Sequence, residues 1–460
     1  MEETERKESP LGTEPTGRLL RKFAVPSVVA MIVGALYNIV DQFFIGRSVG
    51  ELGNAATNIA YPLSTCCIAI ALLCGIGGAS AFNIAMGEKK QDEATEYMGN
   101  ALCLLLVLGV TLSLVTELFL TPMLRFFGSP DAVLPYAKTY TGITALGFPF
   151  LILTSGGGHL VRADGRPNVA MFCNLFGAIA NVFLDALFVF VFHWGIAGAA
   201  AATIIGQYLS GGLIIWNLCR CRTVKLRWRH LRPIPRRMLR VASLGTSPCT
   251  NQLAMTVVQI VLNNSLKHYG GLSVYGENIP IAVSGIISKV NMIFMSFVIG
   301  CSQGMQPIAS YNCGARKFDR VRRVCLQALG AGAAFAVTAF ALFQLLPRQI
   351  IGIFGNGSEE YVAFAVSYFR IYLFFTFLNF MQPITSNFFT SIGKPRVGVV
   401  LSLTRQVFFL LPLIIILPLF LGIDGIMYAG PTADFTAALV SFLMLWKEFR
   451  GENYRRLRDR

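Results

Sequence analysis

The chain has 460 residues, of which 54% are hydrophobic and only 14% charged, and its mean hydropathy is +0.59. Soluble domains carry about 25% charged residues, so this balance excludes an ordinary water-soluble globule and favours one membrane-embedded unit. Four scattered histidines (His159, His193, His230, His268) have no zinc-ligand spacing, and the eleven cysteines lie mostly within apolar runs, as small buried hydrophobes do.

In chain order, residues 1–18 read as a charged tail, and the first apolar run is too long for the h-region of a cleaved signal, so it is expected to stay as the first span. A helix needs about 20 apolar residues to cross a bilayer, and helices are the default there because they pair their own backbone groups. Twelve are expected, at 20–46, 54–86, 99–121, 136–160, 169–192, 196–219, 240–267, 281–311, 324–346, 362–391, 398–420 and 424–446. They divide into an N-lobe (19–219), a basic linker (220–239) containing Pro233 and Pro235, a C-lobe (240–447) and a basic tail (448–460).

The formal charge is +15, and the placement of the cations gives it a meaning. Of the 39 Lys and Arg, 31 fall in the two tails and in the connections after even-numbered helices. By the positive-inside rule both termini are expected in the cytoplasm of a cell whose inner membrane holds the chain. The basic surplus is then a topology signal, with contact to the lipid bilayer as its partner, and nucleic acid is not expected.

The sequence repeats itself at one offset. Phe127-Gly128-Ser129 recurs as Phe354-Gly355-Asn356, Gly87-Glu88-Lys89-Lys90 as Gly314-Ala315-Arg316-Lys317, and Gly195-Ile196-Ala197-Gly198 as Gly422-Ile423-Asp424-Gly425, all 227 residues on. Gly165-Arg166-Pro167 matches Gly393-Lys394-Pro395 at 228. Six helices per repeat give both halves the same orientation. The expected fold is therefore all-α and integral to the membrane, with twelve transmembrane helices in two six-helix lobes related by a pseudo-two-fold axis along the membrane normal. Sites in such folds tend to lie between the repeats.

Polar groups inside the spans mark function, because they are costly there. Asn38 and Asp41 share one face of the first helix, Asn174, Asn181 and Asp185 one face of the fifth, and Thr203, Gln207 and Ser210 one face of the sixth. Two carboxylates, amide carbonyls and a hydroxyl suit a hard cation such as Na+. They equally suit proton exchange, since a carboxyl taken out of water favours its protonated form. Pro26 removes a backbone donor and can kink the first helix. In the C-lobe, Gln252 and Gln259 are uncharged, and Asp434 is the only deep carboxylate and a candidate for a second ion site. Lys289, Arg370 and Arg405 read as snorkelling or paired cations. Met255, Met292 and Met295, with Tyr37, Gln252, Gln259 and Asp434, are expected to line an adaptable substrate cleft. No P-loop, H-E-x-x-H or G-x-S-x-G is present, so no enzyme and no organic cofactor is expected, and an ion gradient has to supply the energy.

On these residues the chain resembles the multidrug and toxic compound extrusion (MATE) transporters, including the MepA-like bacterial subgroup. The resemblance rests on the 6+6 arrangement, on Pro26 and Tyr37-Asn38-Ile39-Val40-Asp41, on Arg162-Ala163-Asp164-Gly165-Arg166-Pro167, and on Asn181-x-x-x-Asp185. It implies antiport, in which a small amphipathic or cationic molecule leaves as H+ or Na+ enters, with the cation site at Asp41, Asn181, Asp185 and Thr203. Supporting polar groups would be Asn38, Asn174 and Gln207. The chain is expected to work as a monomer. A flippase for a lipid-linked metabolite is the alternative, because the wider superfamily includes such proteins.

Overall fold

A backbone in hydrocarbon has to satisfy its own hydrogen bonds, and the chain does so with helices throughout. The computed structural model describes residues 9–276, 278–354, 359–451 and 454, and no strand occurs among them. In the N-lobe the long helices are α1 (Thr16–Val49), α2 (Glu51–Gly87), α3 (Gln91–Leu118), α4 (Leu134–Ala163), α5 (Pro167–Asp185) and α6 (Gly195–Cys219). In the C-lobe they are α7 (Pro235–Gly271), α8 (Asn278–Gly314), α9 (Phe318–Leu345), α10 (Glu359–Tyr372, resuming at Met381–Ser391), α11 (Pro395–Leu403, continued by a π-helical segment into Leu411–Leu421) and α12 (Ile423–Phe449). Eleven of the twelve are apolar enough to cross a membrane by hydropathy alone. The exception, α7, is diluted by Asn251, Gln252, Gln259, Asn263 and Asn264, yet has the 37 residues of α2 and α8.

Several helices begin earlier than expected. α3 starts at Gln91 and α9 at Phe318, because charged first turns continue the helix beyond the apolar slab. α10 is the larger departure. It is expected as one helix over 362–391, but leaves α-helical geometry after Tyr372 and resumes at Met381. Pro383 offers no N–H to the Asn379 carbonyl and crowds it, which favours a break at that point.

The repeat is visible in the backbone. Lys89 and Arg316 both adopt left-handed conformations (φ 64° and 57°), and so do Gly165 and Gly393 (82° and 79°). Each pair closes the turn after equivalent helices, at the offset read from the sequence. Gly355 and Asn356 of the Phe354-Gly355-Asn356 motif lie outside the described residues, as do positions 1–8 and 455–460 of the tails.

The two lobes meet at the end of the bundle that carries the chain start and the basic loops, called the terminal end below. There glycines let helices cross almost backbone to backbone. A Cβ on Gly304 or Gly300 of α8 would stand 2.5 Å from the Cα of Ala24 or Val28 on α1. A Cβ on Gly245 of α7 would stand 1.8 Å from the Leu73 carbonyl oxygen on α2, and one on Gly77 would stand 2.0 Å from the Val241 oxygen. Gln306 adds a cross-lobe hydrogen bond to Ser80 (2.9 Å). The seam is reinforced by exchange of core residues. Leu11, Leu19, Leu20 and Phe23 are buried in the C-lobe core, and Val241 and Leu244 in the N-lobe core. At the opposite end the buried clusters around Ile45, Ala56, Leu124 and Val189 contain N-lobe residues only.

The basic segment 220–239 lies along the N-lobe. Asp164 accepts from the Arg222 and Thr223 amides, Asn100 caps the Ile234 amide at 2.8 Å, and Arg237 pairs with Glu93 and Glu96. The segment before α1 is held on the C-lobe in the same way, by Asn312 and Arg320 bonded to the Leu11 carbonyl.

Candidate functional site

α5 and α6 approach each other through small residues. A Cβ on Gly177 would meet the Ser210 hydroxyl at 1.9 Å, and one on Gly206 the Gly177 carbonyl at 2.9 Å. Ser210 fixes the crossing by donating to the Cys173 carbonyl at 2.8 Å. One turn further from the terminal end the same crossing brings Asn181 and Thr203 together, with the amide nitrogen 3.4 Å from the hydroxyl. A turn beyond, Asp185 is fully buried. A π-helical segment, Ala186–Val191, begins at the next residue. Such segments are rare in helices and recur at functional positions.

α1 completes the site. The Asp41 carboxyl approaches that of Asp185, and the Tyr37 hydroxyl approaches Thr203 and both acids. Tyr140 of α4 stands beside the two acids as well. Asp41 Oδ1, Asn181 Oδ1 and both Asp185 oxygens are buried and receive no hydrogen bond from any described residue. An ionised carboxylate only accepts, so the site holds a surplus of acceptors around two acids. Two carboxylates at close range out of water are not both stable as anions. A proton or a cation relieves the pair. Sodium would find oxygen ligands from Asp41, Asn181, Asp185 and Thr203, the set expected from sequence. No group of three or more His, Cys, Asp or Glu able to hold a metal occurs among the described residues, so any cation held there would rely on amide and hydroxyl oxygens besides the two acids.

The supporting residues divide. Asn38 is exposed and bonds back to the Gly34 carbonyl (2.8 Å), away from the acids. Asn174 faces Gly158 of α4, two turns nearer the terminal end. Gln207 points at Gly147 of α4, and its carbonyl oxygen is also buried without a donor. Tyr140 was not expected. Nothing in its sequence context marks it, because α4 carries no ionisable group near it other than Lys138.

The C-lobe residues do not join this site. Gln259 donates to Asn263 (3.0 Å), Met255 is 42% exposed on α7, Gln252 is half-buried, Met295 packs on the C-lobe core and Met292 lies one turn before it on α8. Asp434 is buried and locked to a fixed cation: Arg405 Nε lies 2.5 Å from its Oδ1, with the Asn379 amide 3.4 Å from its Oδ2. Arg405 lies in the first turn of the π-helical segment of α11, and Asn379 lies in the break of α10. The cluster joins α10, α11 and α12, the equivalents of α4, α5 and α6, and its carboxylate is charge-compensated.

The MatE family profile matches residues 26–187 and 249–416. The chain is 23% identical over 425 residues to the multidrug export protein MepA of Staphylococcus saprophyticus, covering 92% of each. It is 21% identical over 433 residues to the protein of that name from Staphylococcus aureus, covering 94% of each. Among solved structures it is similar to the MATE multidrug transporter DinF-BH in complex with R6G (31% identity, TM-score 0.88). It is also similar to a MATE family transporter of the MOP superfamily in an outward-facing conformation (22% identity, TM-score 0.89). Both alignments cover 96% of this chain and 98% of the other.

Proposed function

Because the chain belongs to the MatE family, we propose that it exports amphipathic, often cationic drugs across the cytoplasmic membrane, in exchange for a proton or a sodium ion. The names of its relatives support drug export, and catalysis has no part in this reading. The observation that carries ion coupling is the buried acid pair with more acceptors than the protein has donors to satisfy. Both termini lie in the cytoplasm in this reading, so the sealed terminal end faces inward, and the end without a shared core faces outward.

Alternating access follows from where α1 makes its contacts. Asp41 sits on the same helix as Ala24 and Val28, which meet the α8 glycines, and Pro26 lies between those two. Asp41 and Val28 are about 20 Å apart along the axis at 1.5 Å per residue. A cation at Asp41 and Asp185 neutralises the pair and lets α1 repack, which loosens the seam. A ligand shifts such an equilibrium only by binding the two states unequally, and ion and drug do so by favouring opposite ones. The test is dye efflux from vesicles carrying wild type, Asp41→Asn or Asp185→Asn, under separately imposed proton and sodium gradients. Loss of gradient-driven efflux in both variants is expected. Undiminished efflux in both would remove this site from the mechanism.

A further inference from the structure

At the terminal end a cavity of about 680 Å³ opens between the start of α1 and the start of α9. Four arginines line it, Arg18 and Arg21 from α1 with Arg320 and Arg323 from α9, and no carboxylate does. Arg320 spends its Nε and Nη2 on Asn312 and on the Leu11 and Glu14 carbonyls. Arg18, Arg21 and Arg323 are exposed and pair with no acid among the described residues. Like charges converging without a counter-charge repel, so the cavity favours an anion.

The surface beyond the cavity shows which anion fits. Above Arg18 and Arg21, the same face of α1 exposes Val25 and Val29. Above Arg323, the same face of α9 exposes Leu326 and Val337, with Gly330 between them where an added Cβ meets nothing within 4 Å. Both runs follow the three-and-four spacing of one helix face. Each is an exposed apolar helix face that starts at the arginines and runs into the membrane. A free anion would use the arginines alone, whereas a phospholipid matches both parts. Basic pockets between helices at the membrane surface are known sites for anionic headgroups.

We propose that this cavity binds the phosphate headgroup of an anionic phospholipid, whose acyl chains lie along these faces of α1 and α9. Since α1 belongs to one lobe and α9 to the other, the bound lipid bridges the seam and favours its closed form. The inference is independent of the acid pair.

The experiment counts lipid bound to the purified full-length protein by native mass spectrometry, titrating phosphatidylglycerol, phosphatidylcholine and inorganic phosphate in turn. Phosphatidylglycerol is expected to bind at least tenfold more tightly than phosphatidylcholine. Its affinity should fall about fivefold for each charge removed and about 100-fold in Arg18→Gln/Arg21→Gln/Arg323→Gln, while the corresponding triple Lys variant keeps most of it. Gly330→Phe obstructs the α9 face and should weaken the lipid without changing phosphate binding. Wild-type lipid affinity in the triple Gln variant would overturn the proposal. So would full displacement of the lipid by millimolar inorganic phosphate, together with an unaffected Gly330→Phe, which would assign the cavity to a free anion. If the triple variant does not elute as a folded protein, the single Arg323→Gln decides, with a fivefold loss expected and no loss contradicting the site.

Discussion

Gly245→Ala tests whether the α2–α7 crossing is what closes the terminal end. The added methyl carbon would stand 1.8 Å from the Leu73 carbonyl oxygen and 2.5 Å from its carbon, both backbone atoms that cannot rotate away. Ordinary van der Waals contact needs more than 3.4 Å, so the helices have to part by well over an ångström. Overpacking of this kind costs about 1–3 kcal/mol, and only the state with α2 and α7 in contact bears it. The equilibrium between closed and open seams should therefore shift by about 5- to 150-fold. The chain carries its own reporters. Cys74 is fully buried on α2 beside Leu73 and near Cys249 of α7, whereas Cys325 is fully buried inside the C-lobe on α9. Maleimide labelling followed by peptide mass spectrometry should show Cys74 modified faster by that factor, with Cys325 unchanged. Labelling of both would mean general unfolding. Wild-type protection of Cys74 in a folded variant would refute the assignment of the seam.

Two further tests address buried charge, at Asp434 and at Asp164. Arg405→Leu should lower stability by about 3–5 kcal/mol, because it leaves Asp434 buried without its cation, and Arg405→Leu/Asp434→Leu should recover most of that in a thermal melt in detergent. Failure of the double variant to recover would mean the pair is not an isolated unit. Asp164→Ala removes the acceptor shared by Arg166 (2.6 Å), the Arg222 and Thr223 amides (3.1 and 3.0 Å) and the Thr223 hydroxyl (2.6 Å). It should release the segment after α6 from the N-lobe, read as faster proteolysis around Arg222 and a lower melting temperature, and an unchanged cleavage pattern would count against that anchoring role.

Much of this was legible in the sequence because membrane burial leaves simple marks. Long charge-free runs located the spans, and the 227-residue offset located the repeat that Lys89 and Arg316 display in their backbone. Asp41 and Asp185 were legible for the same reason, since a carboxylate amid apolar residues has few structural explanations, and helical spacing tied Asn181 to Asp185. What escaped depends on contacts between helices. Tyr140 joins the acids only through the packing of α4, and its side chain is ordinary in a span. Asp434 has the same sequence signature as Asp185, and only the approach of α11 reveals that Arg405 neutralises it. Hydropathy treats the break in α10 as continuous, because Leu373–Phe380 is as apolar as its flanks, although Pro383 gives a partial signal. The position of the 220–239 segment was hidden because a basic, proline-containing stretch reads as a connector until Asp164, Asn100 and Glu93 are seen to hold it.

The acid pair between α1 and α5 is proposed to take one monovalent cation. Equilibrium dialysis of the purified protein with labelled sodium, alongside proton release in weakly buffered solution, counts that cation directly. One per chain is expected in the wild type, as bound sodium or as a titrating proton, and none in Asp41→Asn/Asp185→Asn. Wild-type stoichiometry in that double variant would contradict that assignment.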